Sequence, residues 1–94
     1  MIPDLKKRAI HRTKIIEGQI KGLQKMIENE SYCVDAITQS LAIQKSLASL
    51  NKLLLENHLR KHVASMLASG NEDERSKATQ ELLSLYELHN VRSK

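Results

Sequence analysis

The chain has 94 residues with one Cys, one Pro, three Gly and neither Phe nor Trp, which excludes a dinucleotide fold, a barrel or a multidomain enzyme and leaves room for one small domain, residues 1–94. A chain this short buries only about 60–65% of its unfolded surface, and with Tyr32 and Tyr86 as its only aromatics it is expected to complete its core by oligomerising. The net charge of +4 is uneven: residues 1–25 hold Lys6, Lys7, Arg8, Arg12, Lys14, Lys21 and Lys25 against Asp4 and Glu17 alone. Such a segment favours a polyanion, nucleic acid ahead of a membrane surface. A single cysteine cannot close an intrachain disulfide, the start MIPDLKKR has no signal-peptide run, and the apolar run Leu53–Leu55 falls far short of the roughly 20 residues that span a bilayer. The expectation is a cytoplasmic protein without a membrane segment.

Punctuation is sparse, and the spacing predicts an all-α chain of three helices. The first runs from about Asp4 to Glu28, with Leu5, Ala9, Ile16, Ile20, Leu23 and Ile27 on one face. Asn29-Glu30-Ser31 interrupts it, and Ser31 is the expected cap of the next helix. The second helix is predicted from Tyr32 to Ser69, ending at Gly70 in a left-handed conformation. Roughly 36 residues extend about 54 Å, and the middle is apolar nearly all round: Ile37, Leu41, Ile43, Leu47, Leu50 and Leu53 to Leu55. Such a helix needs other subunits around it. The third helix opens on Asn71 as N-cap, with Glu74 at the capping-box position and Glu72 and Asp73 suited to the helix dipole. Leu82, Leu83, Leu85 and Leu88 form its apolar side, and a frayed end is expected over Asn90 to Lys94. Gly18 and Gly22, spaced Gly-x-x-x-Gly among polar residues, suggest close helix packing in water.

Three metal-ligand side chains stand out: Cys33, His58 and His62. The histidines stand at i and i+4 and share a helix face, and Cys33 falls in the same angular sector. It lies 25 residues away along the same helix, however, roughly 37 Å at 1.5 Å per residue, whereas metal–ligand bonds are about 2.0–2.3 Å. One chain cannot close this site. An antiparallel copy of the helix, with a two-fold axis near Ser46, brings Cys33 of one subunit beside His58 and His62 of the other, giving two equal sites per dimer. A second pattern lies upstream, where Lys7, Lys14, Lys21 and Lys25 form a stripe opposite Ile16, Ile20, Leu23 and Ile27, with Arg12 flanking the apolar face. Repeated on an assembly, the stripe makes a broad basic surface for double-stranded DNA. Readout by shape and phosphates is expected, because no recognition-helix pattern is present. A Cys33–His58 nucleophilic pair is the enzymatic alternative, but the sequence offers no oxyanion hole or substrate pocket, so no enzyme is expected. A metal-buffering protein with a merely solubilising basic face is the other alternative.

Taken together, RTKIIEGQIKG over Arg12–Gly22, Ser31-Tyr32-Cys33-Val34-Asp35 and ENHLRKHV over Glu56–Val63 resemble the CsoR/RcnR family of small helical bacterial repressors, over nearly the whole chain. The resemblance implies an antiparallel helix dimer, a four-helix bundle, paired again into a homotetramer that binds operator DNA when unliganded and leaves it on effector binding, so that efflux or homeostasis genes are expressed. It implies Cys33 and His58 as ligands from different subunits, Tyr32 and Glu81 as outer partners of the site, with Glu74 as the alternative acid, and Arg12 and Lys14 in the DNA-contact region. Copper-sensing members carry a second Cys where this chain has His62. Nickel- and cobalt-sensing relatives have His there but also an N-terminal His, absent from Met1-Ile2-Pro3. The flanks Glu17-Gly18-Gln19 and Tyr32-Cys33 resemble the copper branch, and a thiolate with two imidazoles suits three-coordinate Cu(I). Cu(I) is therefore the expected effector, with Ni(II) or Co(II) second and Zn(II) possible at a site completed by water.

Overall fold

A computed structural model describes the backbone of residues 1–93 and the side chains of residues 1–88. All regular structure among the described residues is helical: α1 (Pro3–Glu28), α2 (Cys33–His58), a π-helical turn (Leu59–Val63), α3 (Ala64–Ala68) and α4 (Glu72–Ser93). Helix α4 runs to Ser93 through most of the segment expected to fray, and Lys94 lies outside the described residues. Contacts divide the chain into two compact units, Met1–Asn57 and His58–Lys94.

Pro3 stands at the first position of α1, where its missing N–H is no loss and its fixed φ suits the helix. Asp4 adds a negative charge to that turn. The helix ends in a Schellman motif: the Ser31 N–H donates to the Met26 carbonyl at 2.9 Å and the Glu30 N–H to Ile27 at 3.1 Å. Glu30 takes the left-handed position of this motif, with φ 52°, a place usually given to glycine. The connection to α2 is short, and Tyr32 rather than Ser31 opens that helix, its carbonyl accepting from the Asp35 and Ala36 amides. Ser31 is occupied in closing α1, so the cap passes one residue on.

Helices α1 and α2 form an antiparallel hairpin. Ile2 is bonded to Asn57 and Gln19 to Gln39, so rising numbers on one helix meet falling numbers on the other. The buried and half-buried positions of α1 and its N-cap include 2, 5, 9, 12, 16, 19, 23 and 26, and those of α2 include 36, 39, 43, 46, 50, 53 and 57. Both sets alternate steps of three and four, the seam of a coiled coil. Leu5, Ala9 and Leu53 form its buried cluster, with Ile2 and Leu50 against it.

This seam corrects the face expected for α1. Ile20 and Ile27 are exposed, and Gln19 and Met26 take their places. The helices meet over many small or polar residues, including Ala9, Arg12, Gln19, Ala36, Gln39 and Ser46, while Ile37, Leu41, Leu47, Leu54 and Leu55 of α2 face outward. Gly22 does lie against α2, where a Cβ would meet the Gln39 side chain at 3.6 Å, but Gly18 faces open space. Close packing at the Gly-x-x-x-Gly pair therefore holds at one glycine only.

In the second unit the helical run continues past His58 to Ala68, but not as the uniform α-helix expected. Leu59–Val63 is wound as a π turn, closed by the Ala64 N–H on the Leu59 carbonyl five residues back. Val63 is the most enclosed large side chain here, 2% exposed, and Ala78 of α4 is fully buried. Gly70 adopts φ 78°, the left-handed residue expected after the helix. Asn71 caps α4 through its Oδ1, which accepts from the Asp73 and Glu74 amides at 2.9 and 3.3 Å. The reciprocal bond of a capping box is absent: the Asn71 N–H donates to the Ser69 hydroxyl at 3.2 Å, and that hydroxyl donates to Met66.

Candidate metal centre

Helix α2 carries Cys33 as its first residue and His58 as its last. Cys33 is a free, exposed thiol, and Tyr32 just before it is 72% exposed. Twenty-five residues of helical rise separate Cys33 from His58, so the thiol and the imidazole are not brought together within the chain. Consistent with that, no group of three or more His, Cys, Asp or Glu side chains converges to hold an ion among the described residues.

The histidine pair is assembled. The rings of His58 and His62 lie 5.3 Å apart between centroids, tilted by 39°. His58 closes α2 and His62 stands in the π turn, a local winding that recurs at functional sites. His58 Nε2 approaches Glu81 Oε1 to 2.7 Å, with the two side chains 32% and 42% exposed. The approach has ion-pair distance without the alignment of a ring N–H hydrogen bond. Glu74 instead stands exposed in the first turn of α4. Contact with Glu81 leaves Nδ1 of His58 as the ring nitrogen available to a ligand. A donor set of one thiol and two imidazoles fits a soft or borderline metal ion, and within one chain these three side chains do not meet.

The basic residues of α1 fall into distinct surroundings. Lys7 and Lys14 line an open groove of about 470 Å³ with Pro3, Lys6, Ile10 and His11. Lys6 and His11 lie outside the lysine stripe, although steps of three and four from Pro3 and Lys7 would reach them. Arg12 is half-buried on the coiled-coil seam. Lys21 is paired with Glu17 at 3.4 Å on the exposed surface, and Lys25 is exposed in the last turn of α1. Two further residues escape sequence reasoning: Asn57, 9% exposed, accepts the Ile2 N–H at 2.8 Å, and Ser69 bridges α3 to α4. Neither sits in a motif that would single it out.

The model of the metal-sensitive transcriptional repressor family matches residues 5–88, and the chain belongs to that family, one of repressors and not of enzymes. Over 81 residues it is 38% identical to the copper-sensing transcriptional repressor CsoR of Bacillus subtilis, covering 86% of this chain and 77% of that protein. It is 35% identical over 66 residues to CsoR of Mycobacterium tuberculosis H37Rv, 70% of this chain and 56% of that one. Its fold is similar to the crystal structure of the copper-sensing repressor CsoR with Cu(I) from Geobacillus thermodenitrificans NG80-2, with a TM-score of 0.73 and 30% identity over 92% of this chain and 88% of that one. No helix among the described residues is long and apolar enough to cross a membrane.

Proposed function

We propose that this protein is a cytoplasmic Cu(I)-responsive repressor that binds operator DNA without metal and leaves it on binding Cu(I), derepressing metal efflux or homeostasis genes. The observation that carries the reading is the His58–His62 pair backed by Glu81, on the helix whose far end holds the only cysteine. Cys33 of one copy, with His58 and His62 of an antiparallel second copy, would hold the ion. The outward Ile37, Leu41, Leu47, Leu54 and Leu55 supply the apolar surface for that dimer and for its pairing into a tetramer. When bound, the ion would supply a cross-link between subunits, and the preference of Cu(I) for a soft ligand and low coordination number suits one thiolate and two imidazoles better than the four to six ligands that Ni(II), Co(II) or Zn(II) prefer. Glu81 holds the His58 ring, and Tyr32 flanks the thiol. Lys7, Arg12, Lys14, Lys21 and Lys25, repeated over the assembly, form the DNA face. A coupling of about 1–3 kcal/mol between the two sites weakens DNA binding by about 5–150-fold.

The test is a DNA mobility-shift titration with and without Cu(I), under reducing conditions, for the wild type and Cys33→Ala. The variant is expected to bind operator DNA as the metal-free wild type does and to stay bound when copper is added. Copper-induced release retained by Cys33→Ala would refute the ligand assignment. Failure of the wild type to bind its own upstream DNA at low salt would refute the repressor and leave a metal-buffering protein.

A further inference from the structure

Asn57 is the buried polar side chain of the described structure, and it is spent on a single long-range contact: its Oδ1 accepts the backbone N–H of Ile2 at 2.8 Å, 55 residues away in sequence. Ile2 is itself the N-cap of α1. Its carbonyl accepts the Lys6 N–H at 2.9 Å, and its side chain rests on the Leu5, Ala9 and Leu53 cluster. One amide oxygen therefore fixes the first turn of α1, the turn that presents Lys6 and Lys7 to the groove shared with His11 and Lys14. The residue after Asn57 is His58, held at 2.7 Å by Glu81, and the π turn begins one residue later.

We propose that Asn57 is a positioning residue that relays the state of His58 to the lysine-bearing start of α1. The proposal rests on the reading of His58 as a ligand and of α1 as the DNA face. Neighbouring residues in a helical turn share a peptide plane, so a reorientation of the backbone at His58 carries the Asn57 side chain with it. The Ile2 contact cannot follow a large displacement, because an N–H···O bond weakens once it is stretched beyond about 3.2 Å and a half-buried partner left unmet is costly. Occupation of the site then loosens the first turn of α1 and disperses the lysines that meet DNA. An anchor that served stability alone would leave that turn unchanged on metal binding.

Three measurements on the full-length protein separate these cases: amide hydrogen exchange over residues 2–10 with and without Cu(I), Cu(I) affinity by chelator competition, and DNA affinity of the metal-free and loaded forms. In the wild type, Cu(I) is expected to speed exchange of the Ile2 amide by at least about fivefold, the low end of typical coupling. Asn57→Leu, similar in volume but without the acceptor, is expected to bind Cu(I) at least as tightly as the wild type but to bind DNA without metal only about as well as the loaded wild type does, so that the ratio of metal-free to loaded DNA affinity falls by at least about fivefold. Asn57→Asp keeps an acceptor at the positive end of α1 and is expected to retain the wild-type ratio. An unchanged ratio in Asn57→Leu, or wild-type Ile2 exchange indifferent to copper, overturns the relay. Should Asn57→Leu not fold, the wild-type exchange measurement decides alone. Failure of the underlying reading looks different: the wild type itself would not bind Cu(I), or would not leave DNA on binding it, and the relay falls with it.

Discussion

Removal of the Glu81 carboxylate is the perturbation that tests the histidine site most directly. Its Oε1 lies 2.7 Å from His58 Nε2, close enough to fix the ring and leave the other nitrogen for the ion. Loss of a carboxylate partner behind a metal-ligating histidine typically weakens metal binding by about 10–100-fold. Here both side chains keep about a third or more of their surface in water, so solvent partly replaces the lost contact and exposed charge pairs are weak. The expected loss for Glu81→Ala is therefore near the low end, about tenfold or about 1.4 kcal/mol. Glu81→Gln, which keeps a carbonyl acceptor, is expected to lose less. Anaerobic competition against a Cu(I) chelator of known affinity reads both, with far-ultraviolet circular dichroism to check that α4 remains helical. Wild-type Cu(I) affinity in a folded Glu81→Ala protein would refute the assigned role of the carboxylate.

Lys14→Ala is expected to lower DNA affinity and to reduce the slope of log affinity against log salt by about 0.9 for one lost phosphate contact; an unchanged slope in an anisotropy titration removes Lys14 from the DNA face. The same substitution at Lys21 is expected to do less, because Lys21 already shares its charge with Glu17. Asn71→Ala deletes the acceptor of two amides at the start of α4 and is expected to destabilise by about 1 kcal/mol, read as a lower midpoint in thermal unfolding at fixed protein concentration. Glu30→Gly relieves a left-handed residue at φ 52° and is expected to stabilise by about 1 kcal/mol; a lower midpoint would show that Glu30 makes a compensating contact.

The punctuation of the chain is legible where a residue's chemistry has one local use. Pro3 opens α1, Gly70 takes the left-handed turn, and Asn71 caps α4, each for a reason contained in its own backbone or side chain. The histidine pair is legible for the same reason, since i and i+4 adjacency needs no tertiary information. The face of α1 is less so. Ile20 and Ile27 are as apolar as Ile16, but the seam follows a 3.5-residue repeat set jointly with α2, and the larger side chains fall outside it. Asn57 and Ser69 are invisible from sequence because their partners, the amides of Ile2 and Asn71, are backbone groups that every residue but proline possesses. The π turn is equally silent: Leu59–Val63 contains neither Gly nor Pro and no residue that would mark the change of winding. Cys33 shows a converse case, in which spacing along a rigid helix rules a contact out as firmly as a structure does.

The π turn also changes which kind of mutation this segment can absorb. A loop of i→i+5 bonding holds one residue more than the α-helical turn it replaces. Deleting one residue within Leu59–Val63 would turn the π turn back into an α turn, with its hydrogen bonds satisfied and the chain from Ala64 onward close to its present register. An added residue would find that slack already used and would rotate the downstream chain by about 100° about the local axis. Point substitutions among the exposed Arg60, Lys61 and Ala64 alter no such register. In this segment loss of a residue is therefore better tolerated than gain of one, an asymmetry that surface loops do not have.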